Sequence, residues 1–153
     1  MPSYNPGMGP GQGAPSGSAF QFYRAALNNV GSYQVAGIPF LTGSTLSSSQ
    51  FGTNNAEFPV TFPYVPKSIL FVNKGTVPVR IHFASVASGA IANKHYFTLT
   101  NNADSVTMNV KCKQVFVSLE TSSSNGSFEM FAELTNISSH DMYRLTGLGI
   151  DTP

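Results

Sequence analysis

The chain has 153 residues, a length that suits one domain with a substantial buried core. Eight residues are Lys or Arg and seven are Asp or Glu, so the formal net charge is only +1. This balance argues against a protein that binds nucleic acid or an anionic membrane mainly through charge. The hydrophobic content of 41% is too high for a disordered chain, and no apolar run approaches the roughly 20 residues that a membrane span needs.

Residues 1–18 are rich in Gly, Pro and Ser and contain few side chains that could be buried. We predict that they form an arm that becomes ordered only when a neighbouring subunit or partner holds it. The stretch lacks a basic region followed by an apolar run, so it does not resemble a secretory signal and a cytosolic site of synthesis is expected. The predicted organisation is an arm and short anchor over residues 1–31, followed by a body over residues 32–153.

The anchor, residues 20–29, is compatible either with two helical turns or with an extended segment. It concentrates aromatic side chains next to one basic residue. The candidate partner-binding residues of the arm and anchor are Tyr4, Phe20, Phe22, Tyr23 and Arg24.

From residue 33 onward, short apolar runs separated by Gly, Pro, Asn and Ser predict an all-β body. Residues 77–83 alternate most clearly, with Ile81 on the core face and His82 on the solvent face. Residues 69–72 are apolar on both faces, which predicts a central strand covered on both sides. Residues 73–76, Asn-Lys-Gly-Thr, predict a tight hairpin turn between these two strands.

Six further segments have strand-like patterns, giving about eight strands: 32–38, 57–62, 95–100, 105–110, 113–120 and 127–134. Turns are predicted at 101–104 and at 122–126, where Asn125-Gly126 favours positive φ. Four prolines would each remove a ladder donor, so we expect their strands to lie at sheet edges or to begin there. These prolines are Pro59, Pro63, Pro66 and Pro78.

Eight strands in about 120 residues predict a two-sheet β-sandwich, and a single jelly roll is one common way of connecting them. An immunoglobulin-like sandwich is the competing architecture. Its disulfide and core Trp cannot occur here, because the chain has one Cys and no Trp.

The lone cysteine, Cys112, shares the parity of Val106, Met108 and Val110 and is predicted to be a small core hydrophobe. One cysteine cannot form an intrachain disulfide or a cysteine-rich zinc site. Three histidines, His82, His95 and His140, stand far apart, and none has a second His or Cys at ligand spacing. No metal, cofactor or phosphate-binding loop is therefore predicted.

Two further patterns are interpreted as structural. Ser139-His140-Asp141 contains the residue types of a catalytic triad, but three consecutive side chains point in different directions, so a turn or helix cap is predicted. Glu129 and Glu133 share a strand face with Phe131, which predicts a solvated or interface surface rather than an acid–base pair. An enzyme would need a cleft where His95, His140 or a glutamate meets a Ser or Cys.

Segments 18–44, 62–83 and 131–150 together resemble structural proteins of icosahedral virus particles. They are similar to single jelly-roll minor capsid, penton or decoration subunits of double-stranded DNA viruses and phages. The resemblance implies a virion protein without catalytic site or cofactor that forms a cyclic homo-oligomer, a pentamer or a trimer. It also implies contacts with other capsid proteins, an N-terminal arm that reaches neighbouring subunits, and assembly in the host cytoplasm.

Two alternatives remain open. A receptor- or glycan-binding sandwich of a virus tail or spike could use residues 44–55 as a polar loop, with Phe51 stacking on a sugar ring. The apolar tail, residues 142–150, is either a closing strand on its own domain or a segment exchanged with a neighbour.

Overall fold

The computed structural model describes residues 25–53, 56–85 and 95–143. The predicted arm residues Tyr4, Phe20, Phe22, Tyr23 and Arg24 lie outside these ranges, as does most of the tail. The described part of the chain contains eight strands and one short α-helix, α1 (Gly31–Gln34). The strands are β1 (Ile38–Leu46), β2 (Glu57–Thr61), β3 (Tyr64–Asn73), β4 (Val79–His82), β5 (Phe97–Leu99), β6 (Ser105–Met108), β7 (Gln114–Leu119) and β8 (Gly126–Ser138). The predicted all-β class and strand number are confirmed.

The strands form two antiparallel sheets of four. Sheet A has the order β1-β8-β3-β6, and sheet B has the order β2-β7-β4-β5. The first strand therefore pairs with the last, the second with the seventh, the third with the sixth and the fourth with the fifth. This is the pairing obtained when one long antiparallel hairpin is rolled into two layers, so the sandwich is a single jelly roll.

Side chains from the two inner faces form one main core. At its centre, Phe128 of β8 contacts Phe58 of β2 edge to face, with ring centroids 5.6 Å apart, and Phe71 of β3 at 6.2 Å. Cys112 is fully buried in this core, as predicted, and burial raises the pKa of its thiol to about 12. The thiol is therefore neutral at ordinary pH and packs as a hydrophobe.

A smaller cluster closes one end of the body. Val65, Ile137 and Met142 are buried there, and Ala25 and Leu27 pack against them. The Leu27 carbonyl oxygen accepts hydrogen bonds from Tyr33 Oη at 2.9 Å and from Lys111 Nζ at 2.7 Å. Met142, the first residue of the predicted tail, thus packs on its own domain, and the anchor is fixed to the body from Ala25 onward.

Several local predictions are wrong. The first strand begins at Ile38, because residues 32–34 of the predicted strand 32–38 belong to α1 instead. The predicted hairpin at 73–76 is a connection between layers, since β3 lies in sheet A and β4 in sheet B. Asn125 and Gly126 have no positive φ; among the described non-glycine residues Ala103, in the confirmed turn at 101–104, has one.

The prolines follow the prediction in part. Pro59 lies in β2, an edge strand, and Pro78 directly precedes β4. Pro66, however, lies in the central strand β3, where the pairing with β8 shifts register on either side of it. The Thr135 hydroxyl donates to the Val65 carbonyl at 2.7 Å and accepts from the Ile137 N–H at 3.1 Å. This side chain satisfies backbone groups that the irregular ladder leaves unpaired.

Asn73 connects the two layers at the opposite end of β3. Its side chain is fully buried, and Nδ2 donates to the carbonyls of Val77 at 3.0 Å and Leu99 at 3.1 Å. Its Oδ1 accepts from the Gly75 N–H at 2.9 Å. One amide therefore joins the end of sheet A to the connection between β3 and β4 and to β5 of sheet B.

Candidate interaction surface

The outer face of sheet A carries an apolar row that crosses three adjacent strands. Leu41 of β1 lies opposite Phe131 of β8, and Phe131 lies opposite Leu70 of β3. Leu41 is 75% exposed, and Phe131 and Leu70 are half-buried. Val72 lies two residues beyond Leu70 on the same face of β3 and extends the apolar area. We call this set, Leu41, Leu70, Val72 and Phe131, the apolar patch.

The prediction that residues 69–72 are covered on both sides is wrong for the isolated chain. Ile69 and Phe71 face the core and are buried, whereas Leu70 and Val72 face outward and remain partly exposed. The sequence pattern of a doubly covered strand therefore occurs on a strand that has only one covered face. An outer layer supplied by another molecule would complete the burial.

The patch surrounds a shallow depression of about 490 Å³ lined also by Gly43, Glu129 and Met130. Gly43 contributes because it has no side chain: a Cβ there would lie 2.7 Å from the Phe128 carbonyl oxygen. The absence of that atom lets β1 approach β8 closely and leaves a hollow beside Leu41.

Two ion pairs border the patch. Lys67 Nζ lies 3.3 Å from Glu133 Oε2 at one end of the strands, and Lys74 Nζ lies 3.8 Å from Glu129 Oε2 at the other. Glu129, Phe131 and Glu133 share one strand face, which confirms the predicted placement of the two glutamates. An apolar centre with a charged, solvated border is the arrangement found in protein interfaces.

The outer face of sheet B contains a histidine that is buried, although the alternation pattern predicted it to be exposed. His82 was predicted to face solvent, but it is only 2% exposed. Its ring stacks on Phe116 with a centroid distance of 5.7 Å, and Ala84 is buried beside it. Alternation assigned the correct side of the strand, but other residues cover that side.

The tautomer of the neutral His82 ring follows from its two partners. Nδ1 lies 2.9 Å from the Ala84 carbonyl oxygen, and Nε2 lies 3.2 Å from Ser118 Oγ. A carbonyl only accepts, so Nδ1 carries the proton and Nε2 accepts from the Ser118 hydroxyl. Desolvation by burial lowers the pKa of His82, and the nearby Arg80 charge lowers it further, against the opposing effects of the Ala84 hydrogen bond and the Glu57 charge.

Hydrogen bonds connect a serine to a neutral histidine and that histidine to a carbonyl oxygen. A catalytic serine–histidine dyad with a group that orients the histidine has the same order. Ser118 and His82 are both almost fully buried, however, so the hydroxyl oxygen is closed to solvent. The arrangement is a buried polar network that holds β4 to β7. His140, in contrast, lies exposed on the 3-10 turn Ser139–Asp141, where the Ser138 hydroxyl caps the turn as predicted.

We expect this network to make the fold acid-sensitive. Below the ordinary histidine pKa of about 6.5, the unfolded chain binds a proton at His82 that the folded chain does not, so stability falls as pH falls toward the lowered folded pKa. Urea unfolding followed by circular dichroism between about pH 7.5 and pH 5 measures this slope. His82→Gln should reduce it and also destabilise the chain by about 1–3 kcal/mol at neutral pH. The exposed His140→Gln serves as control, and an equal loss of slope in both variants would contradict the assignment.

A second depression, of about 460 Å³, lies beside the edge strand β2. Gln50 and Phe51 line one side, and Glu57 and Gln114 line the other. Phe51 is 41% exposed, and the Glu57 carboxylate accepts a hydrogen bond from the Ser85 hydroxyl. The polar loop predicted at 44–55 thus begins within β1, continues through the 3-10 turn Ser48–Gln50 and brings Phe51 to this depression.

No family model matches the chain, and the search of curated proteins found no match. Within residues 25–53, 56–85 and 95–143, no group of three or more His, Cys, Asp or Glu side chains is placed to hold a metal ion. The helices of this part of the chain are all too short to cross a bilayer.

Proposed function

We propose that the chain is a structural subunit of a virus particle, a minor capsid, penton or decoration protein that acts through contacts with copies of itself and with other capsid proteins. The apolar patch carries the proposal. Sheet A presents three adjacent apolar side chains to solvent in a protein with very few charges, and such a surface gains free energy when another subunit covers it.

The jelly roll is compatible with the proposed function but does not distinguish it from others, because jelly rolls serve in capsids, lectins and other binding proteins. The small number of charged residues distinguishes better between these functions. Interfaces are depleted in Lys, Glu and Asp and enriched in aromatic residues, and this chain has 15 Lys, Arg, Asp and Glu residues against 12 Phe and 6 Tyr. The composition thus favours extensive contacts between subunits over a freely solvated surface.

The proposed arm, residues 1–18, precedes the anchor, which is fixed to the body from Ala25 onward. The body holds the chain at Leu27, beside the small end cluster. Fully extended, residues 1–24 would span about 80 Å, which is enough to cross a neighbouring subunit. An arm that binds only within the assembly couples its ordering to completion of the particle, and many weak contacts then stabilise the closed shell together.

The shell role is tested on lysates of cells that naturally produce the chain. We expect the chain to sediment with particles of uniform size in a density gradient, and immunogold labelling to place it on icosahedral objects. A chain found only in the fractions of small soluble proteins would contradict the proposal.

Deletion of residues 1–18 tests the arm. The described core lies within residues 25–143, so a chain of residues 19–153 should keep its circular dichroism spectrum and thermal midpoint. Expressed with a tag in the same cells, it should be lost from the particle fractions, whereas the tagged full chain should be retained. Full incorporation of the shortened chain would show that the arm is not a tether.

A second candidate function is glycan binding at the depression beside β2. One observation favours it: an exposed aromatic ring, Phe51, lies near the amide and carboxylate groups of Gln50, Gln114 and Glu57. Sugar rings bind to proteins by stacking on aromatic faces and by hydrogen bonding to such planar polar groups. A glycan array probed with the chain, with Phe51→Ala and with Tyr64→Ala as the exposed aromatic control, tests this function.

A further inference from the structure

The charges beside the apolar patch are arranged in two columns. Glu129 and Glu133 flank Phe131 on β8, so one strand carries both carboxylates. Lys67 lies within β3 and Lys74 directly follows it, so the neighbouring strand carries both ammonium groups. The boundary between β8 and β3 thus has a column of carboxylates on one side and a column of ammonium groups on the other.

This arrangement is complementary to itself under one rotation. A two-fold axis along the strands, between β8 and β3, places β8 of a second copy over β3 of the first. Glu129 of each copy then lies over Val72 of the other, next to Lys74, and Glu133 lies over Ser68, next to Lys67. Phe131 of each copy lies over Leu70, which buries the centre of both patches.

The perpendicular face-to-face two-fold rotation is unfavourable. An axis across the strands would place Glu129 of one copy over Glu133 of the other and Lys67 over Lys74. Like charges directly opposed across an interface are repulsive and disfavour that docking mode. The charge pattern therefore favours the axis along the strands over the axis across them.

We propose that the apolar patch binds the same patch of a second copy of this chain, related by a two-fold axis that runs along the strands. The contact is isologous, and the outer faces of the two A sheets pack as a sandwich interior does. This inference rests on the proposed function in one respect: it names a second copy as one of the partners of the shell subunit.

The contact is small. Four strands about 4.8 Å apart and some five residues of strand length, at about 3.3 Å each, give a face well below the roughly 800 Å² per partner of a stable dimer. We therefore expect a weak dimer that dissociates on dilution. Weak pairwise contacts suit an assembly in which many of them act together.

Sedimentation velocity of the purified full chain over a concentration series tests the dimer. The wild-type chain should shift from monomer to dimer with increasing concentration. Phe131→Glu should weaken dimerisation by about tenfold or more, because it removes the central contact. Phe97→Glu, which changes an exposed Phe on sheet B, should leave the dimer unchanged. Circular dichroism confirms that each variant is folded.

Charge reversal tests the pairing between copies. The Lys74–Glu129 end is the more accessible one, with side chains 48% and 67% exposed. Glu129→Lys alone and Lys74→Glu alone should each weaken the homodimer, since like charges then meet across the axis. A mixture of the two variants should form a heterodimer, because the ammonium group introduced in one chain then faces the carboxylate introduced in the other. Mixing cannot repair an ion pair within one chain, so heterodimer formation reports contact between copies.

Three results would overturn the inference: a wild-type chain that is monomeric at every concentration, a dimer indifferent to Phe131→Glu, and a mixture that forms no heterodimer. Dimerisation that requires residues 1–18 would also overturn it, because the arm would then be the occupant of the patch. A monomeric chain that still sediments with particles refutes the dimer and leaves the shell role intact. A dimer that is absent from particles refutes the shell role alone.

Discussion

Replacing Asn73 by alanine is expected to destabilise the folded chain by about 3 kcal/mol or more, because three backbone groups lose their partner at once. The amide satisfies the carbonyls of Val77 and Leu99 and the N–H of Gly75. These groups belong to the connection from β3 to β4 and to the end of β5, so the loss loosens the junction between the sheets. Urea unfolding at neutral pH measures the change.

Two companion variants separate the hydrogen bonds from the lost volume. Asn73→Asp keeps the side-chain shape and the acceptor for Gly75, but it replaces the donor with a carboxylate facing two carbonyl oxygens, so it should be at least as destabilising as alanine. Asn102→Ala changes an exposed turn residue and should shift the free energy of unfolding by no more than about 0.5 kcal/mol. An aspartate variant as stable as the wild-type chain would show that the amide donor is unimportant.

Replacing Phe128 by alanine should cost about 3–5 kcal/mol of unfolding free energy, the range measured for buried phenylalanines. Phe128 is 2% exposed and contacts Phe71 in its own sheet and Phe58 in the opposite one. Its removal leaves a cavity between the layers that the rigid strands on both sides cannot collapse to fill. Thermal and urea unfolding followed by circular dichroism give the value.

Phe97→Ala is the matched control for this experiment, because Phe97 lies in a strand but is 52% exposed. It should cost about 1 kcal/mol or less. Equal losses in the two variants would contradict the central position of Phe128 in the core.

Much of the fold could be predicted because alternation is a local property. Residues 79–82 and 114–119 fall inside predicted strands, and the pattern placed Val79 and Ile81 in the core correctly. Cys112 was likewise predicted to be buried from the parity of its neighbours. For Val79 and Ile81 the environment is decided by the inner face of their own strand, which its sequence shows. Cys112 lies in the connection between β6 and β7 and is buried in the same core.

The first strand was misplaced for a physical reason. β1 contains Gly43, Ser44 and Thr45, which lower the apolar content of its second half. Its pairing with β8 joins residues from 80 positions apart, Leu46 and Gly126, to 96 positions apart, Ile38 and Leu134. When a strand is stabilised mainly by a partner far away in the chain, its own sequence pattern predicts it poorly.

The candidate surface was predicted in part. The shared face of Glu129, Phe131 and Glu133 follows from strand periodicity and was predicted as a solvated or interface surface. Leu41 joins the apolar patch, and the columns of opposite charge become neighbours, because β8 lies between β1 and β3. This strand order is not visible in the local sequence pattern. The burial of His82 depends in the same way on β4 lying next to β7, which brings Phe116 against the imidazole ring.

The sequence by itself determined that the chain is a sparsely charged, all-β body of about eight strands with a Gly- and Pro-rich leader, since composition and short-range periodicity carry that information. Only the tertiary structure decided which sheet each strand joins, that Asn73 links the layers rather than turning a hairpin, and that Leu41, Phe131 and Leu70 form one row. These properties arise from contacts between residues far apart in the chain. Such contacts are selected by the packing of the whole sandwich and not by any local pattern.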